Sequence, residues 1–239
     1  MKCAPQTQKM TNIQTAIQEV RSELPEGVRL IAVSKTHPAS FIEEAYETGQ
    51  RDFGENKVQE MTAKSEALPK DIRWHLIGHL QTNKVKYIAP YVFMIHSIDS
   101  QKLLDTVEKE AAKAGRTIKC LLQVHVAKEE TKFGFAPDEL EVFLADGKYK
   151  GLEHVKICGL MAMATNTDDD AEVEREFEEA RQLFLKAKET YFGGDENFCE
   201  LSMGMSGDYH LAVAHGSTYV RIGSRIFGQR DYSKQISEK

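Results

Sequence analysis

No apolar run in this chain approaches the length of a membrane span, and its first residues, Met1-Lys2-Cys3-Ala4-Pro5-Gln6, lack the hydrophobic core of a signal peptide. Positive charge is in short supply. The 31 lysines and arginines against 37 aspartates and glutamates leave a formal net charge of −6, without the concentrated basic face that nucleic acid requires. Cysteine is sparse: Cys3, Cys120, Cys158 and Cys199 show neither CxxC nor metal-ligand spacing, and the last three read as buried strand thiols. A Walker A loop and a dinucleotide fingerprint are both missing, since the span from Gly223 to Gly228 is not followed by Lys and Ser/Thr. These absences point to a cytoplasmic protein with neither nucleic acid nor membrane as partner; it is taken as a monomer.

No low-complexity linker or shift of composition divides the chain, so residues 1–239 are read as one domain. At 239 residues, 41% of them hydrophobic and 28% charged, the chain is long and apolar enough for one large core. Short β-rich runs alternate with amphipathic segments from about residue 28 onward, the pattern of βαβ units on a parallel sheet. Eight strands are expected, at Arg29 to Ser34, Arg51 to Gly54, Arg73 to Gly78, Phe93 to Ser97, Thr117 to Val126, Val155 to Ala162, Phe198 to Leu201 and Thr218 to Gly223. Eight such units make an α/β fold, a single (β/α)8 TIM barrel. An open doubly wound sheet shares the same alternation.

Helix signals fit between the strands: Pro38 opens the first helix and Gly49 closes it, and Ser100 precedes Leu103, Leu104, Val107 and Ala111. Asp168, Asp169 and Asp170 suit a helix start, after which Val173, Phe177, Ala180, Phe184 and Ala187 share one face as core. Ahead of the first strand, Met10, Ile13, Ile17 and Val20 fall at helical steps, predicting an extra N-terminal helix within 1–27 that packs outside the barrel.

In a barrel, functional groups gather at the C-terminal ends of the strands. Lys35 follows Leu30-Ile31-Ala32-Val33-Ser34 directly and would face that mouth, where partial burial would favour its neutral, nucleophilic form. Position alone favours an ordinary surface lysine that happens to follow a strand. Gly54-Glu55-Asn56 ends the second strand, and Asn56 can both donate and accept hydrogen bonds. After the seventh strand, Ser202-Met203-Gly204-Met205-Ser206-Gly207 leads into a predicted helix from Asp208 to His215, and the eighth ends in Arg221-Ile222-Gly223-Ser224. Two small-residue loops on neighbouring strands suit a phosphate cup, although each also reads as an ordinary glycine turn. His75 and His79 are four apart, but across a strand end containing Gly78, which does not suit a metal; His125 is read as structural, within the fifth strand.

With these residues assembled, the sequence resembles the YggS/PROSC family of pyridoxal-phosphate-binding homeostasis proteins. The motifs run in order: Val33-Ser34-Lys35-Thr36, Phe53-Gly54-Glu55-Asn56, Trp74-His75-Leu76-Ile77-Gly78, Leu80-Gln81-Thr82-Asn83-Lys84, Gly159-Leu160-Met161-Ala162, Leu201-Ser202-Met203-Gly204-Met205-Ser206, then Val220-Arg221-Ile222-Gly223 through Ile226-Phe227-Gly228. The resemblance implies the fold-type III barrel of alanine racemase N-terminal domains, with pyridoxal 5′-phosphate as cofactor and Lys35 as its Schiff-base lysine. It implies Ser206, Gly223 and Ser224 on the phosphate, Arg221 at the pyridine nitrogen, and Asn56 and Met161 along the ring. An arginine there keeps the nitrogen unprotonated and the ring a weak electron sink. The sequence departs from relatives at His79, where some carry proline, and at Ser224, where many carry threonine.

Racemases of this fold take a tyrosine base from a C-terminal domain, and this chain stops soon after the eighth strand motif. Lys35 alone supplies half of a racemisation. The expectation is therefore a protein that buffers or delivers the cofactor, with PLP-dependent apo-enzymes as possible partners, rather than an enzyme. The alternatives are a PLP-dependent amino-acid racemase-like enzyme and, independent of the resemblance, a Schiff-base aldolase with a phosphosugar in the same cup.

Overall fold

Along β1 (Arg29–Val33) the side chains alternate between two clusters: Ile31 and Val33 join one, Leu30 and Ala32 the other. That period of two is what a strand with both faces buried requires. Seven further strands follow, β2 (Asp52–Glu55), β3 (Arg73–Leu76), β4 (Met94–Ile98), β5 (Ile118–Val124), β6 (Val155–Ala162), β7 (Glu200–Ser202) and β8 (Tyr219–Ile222). Each strand pairs in parallel with the next, and β8 returns to β1 with Arg29 opposite Tyr219 and Ile31 opposite Arg221. The computed structural model, which describes residues 10–128 and 133–229, is thus a closed eight-stranded barrel, and the open doubly wound alternative is set aside.

The smaller cluster, with Ile31, Val33, Met94, Leu121, Cys158, Met161 and Tyr219, fills the barrel interior. The larger lies between the strands and the surrounding helices α2 (Ala39–Glu47), α3 (Val58–Ala67), α4 (Val85–Ile88), α5 (Gln101–Lys113), α6 (Pro137–Asp146), α7 (Asp170–Tyr191), α8 (Tyr209–Ala214) and α9 (Ser224–Phe227). Their ends follow the sequence signals. Pro38 is the N-cap of α2, the Ser100 hydroxyl accepts from the Leu103 amide, and Asp169 caps α7 by accepting from the Ala171 and Glu172 amides. The α7 stripe from Val173 to Ala187 is buried as expected.

The N-terminal helix α1 (Asn12–Glu23) opens on a capping box between Thr11 and Gln14 and packs outside the barrel against α2 and α9. It buries Ile13, Ile17 and Val20, whereas Met10 stands exposed ahead of it. Strand β7 begins two residues later than its sequence suggests. Phe198 belongs to an aromatic stack with Phe184 and Phe192 instead, and Cys199 is exposed, unlike buried Cys120 and Cys158. Cys3 lies outside the described residues. β5 ends at Val124, so His125 follows the strand rather than lying within it.

Candidate functional site

The chain bends sharply at the end of β1. Thr36 holds φ at 69°, a left-handed conformation that costs a β-branched residue on the order of 1–3 kcal/mol. Hydrogen bonds on both sides of Lys35 hold the bend. The Ser34 hydroxyl donates to Glu55 at 2.6 Å, and the Thr36 amide donates to Glu60 at 2.6 Å. The Lys64 ammonium joins the two carboxylates, at 2.8 and 2.7 Å, and also donates to the Ser34 carbonyl. Burial pushes the Glu55 carboxyl up to about 7, against the pull of Lys64. Glu55, Glu60 and Lys64 were not expected from the sequence, because their joint function appears only when β2 and α3 are packed together.

Half-buried Lys35 lines a cavity of about 550 Å³ at the C-terminal mouth of the barrel. Asn56, Ser206, Arg221, Gly223 and Ser224 line the same cavity, so six of the seven residues expected at the site come together. The seventh, Met161, is not among the lining residues. It lies in the barrel interior, 1% exposed, and Met163 lines the cavity one pleat further along.

The two small-residue loops are joined directly: the Gly223 amide donates to the Ser206 hydroxyl at 3.2 Å. Gly223 packs closely, since a Cβ there would sit 3.0 Å from the Val33 carbonyl oxygen, beside the turn that carries Lys35. Gly78 likewise admits Asn56, whose carbonyl oxygen would lie 2.5 Å from an added Cβ. The helix after the Ser206 loop, Tyr209–Ala214, is one residue shorter at each end than expected, and the Asp208 carboxylate before it accepts from the Met205 amide at 2.5 Å. That carboxylate, with Asp168 and Asp170, gives the cavity an acidic rim around Lys35 and Arg221.

Arg221 is 3% exposed, and burial lowers its guanidinium to about 10, leaving it charged at neutral pH. It donates to the Ser202 hydroxyl at 2.6 Å and to the Ala162 carbonyl at 2.9 Å. An amine, a guanidinium, an amide side chain and two cross-linked small-residue loops around one cavity suit a phosphorylated carbonyl compound. His79 takes no part in the cavity: it pairs with Asp99 at 3.2 Å and stacks on Phe133.

Residues 9–231 match the family described as "Alanine racemase, N-terminal domain". A protein of Pasteurella multocida named pyridoxal phosphate homeostasis protein is 39% identical over 227 residues, 93% of this chain and 95% of the relative. The structure of PipY from Synechococcus elongatus with PLP bound superposes with a TM-score of 0.82 at 41% identity, covering 90% of this chain and all of that one. Alanine racemase from E. faecalis shares the fold alone: its TM-score is 0.69 at 16% identity, over 91% of this chain and 58% of the racemase.

Proposed function

We propose a function from one premise: the chain belongs to the pyridoxal phosphate homeostasis proteins, a family built on the alanine racemase N-terminal domain. It binds pyridoxal 5′-phosphate and serves intracellular PLP homeostasis by holding the cofactor and giving it up. The observation that carries this is the convergence of Lys35 from β1, Arg221 from β8 and the loops after β7 and β8 on one cavity.

The residues present fit the group. Ser206, Gly223 and Ser224 would hold the phosphate through hydroxyls and an amide, Arg221 would face the pyridine nitrogen, and Asn56 would line the ring. Lys35 would be the lysine that holds the aldehyde carbon as a Schiff base. Met163 is better placed than Met161 to touch the ring, because it is the methionine that lines the cavity. When bound, the cofactor supplies an electrophilic aldehyde and an electron-accepting ring. A guanidinium at the nitrogen gives that ring no proton, which weakens it as an electron sink and suits a carrier better than a catalyst. Relatives at this level of identity are named as homeostasis proteins rather than enzymes. The whole chain is read as one barrel domain acting as a monomer in the cytoplasm, with PLP-dependent apo-enzymes as recipients; among the described residues no helix is long and apolar enough to cross a membrane.

Borohydride reduction of the PLP-loaded protein tests the assignment of the lysine. The phosphopyridoxyl adduct should map by peptide mass spectrometry to Lys35. A single adduct on another lysine would remove Lys35 from its role.

A further inference from the structure

Barrel interiors are ordinarily filled by layers of apolar side chains. Here a line of polar groups runs through that interior, from the floor to the cavity. Asp52 on β2 accepts from Arg73 on β3 at 2.8 and 2.5 Å and sits 2.9 Å from His75 Nε2. His75 Nδ1 lies 2.9 Å from His96 Nε2 on β4, and His96 Nδ1 lies 3.1 Å from the Ser202 hydroxyl on β7, which receives Arg221. His75, His96 and Ser202 are all 0% exposed.

Hydrogen-bond chemistry fixes the direction of every link. Burial would raise the Asp52 carboxyl, but bonds from His75 and Arg73 outweigh it and hold it at about 2, so Asp52 only accepts. His75 Nε2 must then carry the proton. Burial lowers both imidazoles, most strongly His96, so each is neutral with a single N–H. His75 Nδ1 therefore accepts from His96 Nε2–H, and His96 Nδ1 accepts from the Ser202 hydroxyl. The Ser202 oxygen is left to accept from Arg221. No group has a free choice of partner.

We infer that Ser202, His96, His75 and Asp52 are positioning residues: a one-way hydrogen-bond chain from the barrel floor that orients the Arg221 guanidinium toward the cofactor ring. Its effect on the cofactor rests on the function proposed above, whereas its direction stands on these side chains alone. Two of the five N–H groups of Arg221 are taken by Ser202 and Ala162, which fixes the plane in which the others point. In a dry interior each link polarises the next, so a change at Asp52 is felt at Arg221.

The direction is tested in the native protein without cofactor, by nitrogen-15 NMR of labelled histidine. Both imidazoles should be neutral Nε2–H tautomers at pH 8. An Nδ1–H tautomer or a charged ring at either position would overturn the chain as drawn. Its action is tested in PLP-loaded full-length variants, by the wavelength of the bound-cofactor band and the rate of PLP release. Ser202→Ala and Asp52→Asn should shift the band and speed release roughly 10-fold, the scale of one lost hydrogen bond to a charged group. Ser202→Thr, which keeps the hydroxyl, should restore both. Tyr219→Phe should change neither, because the Tyr219 ring packs edge-on against both imidazoles without bonding to them. Bands and release rates in Ser202→Ala and Asp52→Asn that match the native protein would reduce the chain to core packing. A native protein that takes up no PLP would instead sink the proposed function and leave the NMR result to decide the chain.

Discussion

Lys35 owes its place to residues that never touch the cavity. Ser34 and Thr36 on either side of it are tied to Glu55 and Glu60, and Lys64 holds those two carboxylates together inside the protein. Removing one partner of a buried ion pair leaves a charge with neither water nor counter-ion, at a cost of about 3–5 kcal/mol. Lys64→Met should therefore destabilise the fold by roughly 3 kcal/mol at pH 8. The sign of its pH dependence follows from Glu55. Its folded pKa, about 7, is above the ordinary value near 4.3, so ionising it in the folded state costs stability as pH rises between the two. Without Lys64 that cost grows. Urea unfolding at pH 5 and pH 8 should show a smaller gap between variant and native protein at pH 5; an equal gap would mean that Glu55 is not the group left stranded. Lys35 itself was legible from its place after β1, and so were the glycines and serines after β7 and β8. Its supports were not: Glu55 and Lys64 are nine residues apart on a strand and a helix, and nothing in their spacing says that they meet. His75 and His96 were equally hidden, since only the barrel register brings neighbouring strands' inward residues into line.

Among the elements, β6 is legible over its whole length because, Lys156 apart, its eight residues are apolar or small and all but Lys156 are buried. Depth along it was not readable. Met161 lies within β6 and Met163 just past its end, and only Met163 lines the cavity; the β5–β6 register is irregular between Cys120 and Leu121. Gly159 sits at that irregularity with φ at 150°, and a Cβ there would come within 1.7 Å of the Glu200 carbonyl oxygen. Gly159→Ala should thus force β6 and β7 apart and cost about 3 kcal/mol or more, beyond the usual range of point mutations. Thermal unfolding should record a fall of many degrees together with loss of PLP binding, because Ser202 and Ser206 follow from β7. A variant as stable as the native protein would contradict the close approach. Phe198 extends the sequence pattern of β7 for a related reason: it is an apolar residue ahead of a three-residue strand, although its ring packs in a stack outside it.

At the scale of the whole molecule, closure of eight strands brings β1 beside β8 and so sets Lys35 in one cavity with the small-residue loops after β7 and β8. That adjacency of the first and last strands joins residues almost 190 positions apart. The N-terminal helix reinforces it, with Glu23 accepting from Arg225 of α9 at 2.5 and 2.8 Å, one residue beyond Ser224. The same barrel in racemases supports catalysis, so turnover has to be tested directly. PLP-loaded protein incubated with alanine or serine in heavy water should show no α-proton exchange above a Lys35→Ala control. Sustained exchange that depends on Lys35 would move the protein from carrier to enzyme. The central claim, that Lys35 holds pyridoxal phosphate in this cavity, is tested most directly by one absorption spectrum of the protein with added PLP, alongside Lys35→Ala. A visible band in the native protein that is lost in Lys35→Ala is the expected result, and a native protein that stays colourless with PLP, or a variant that keeps the band, would contradict it.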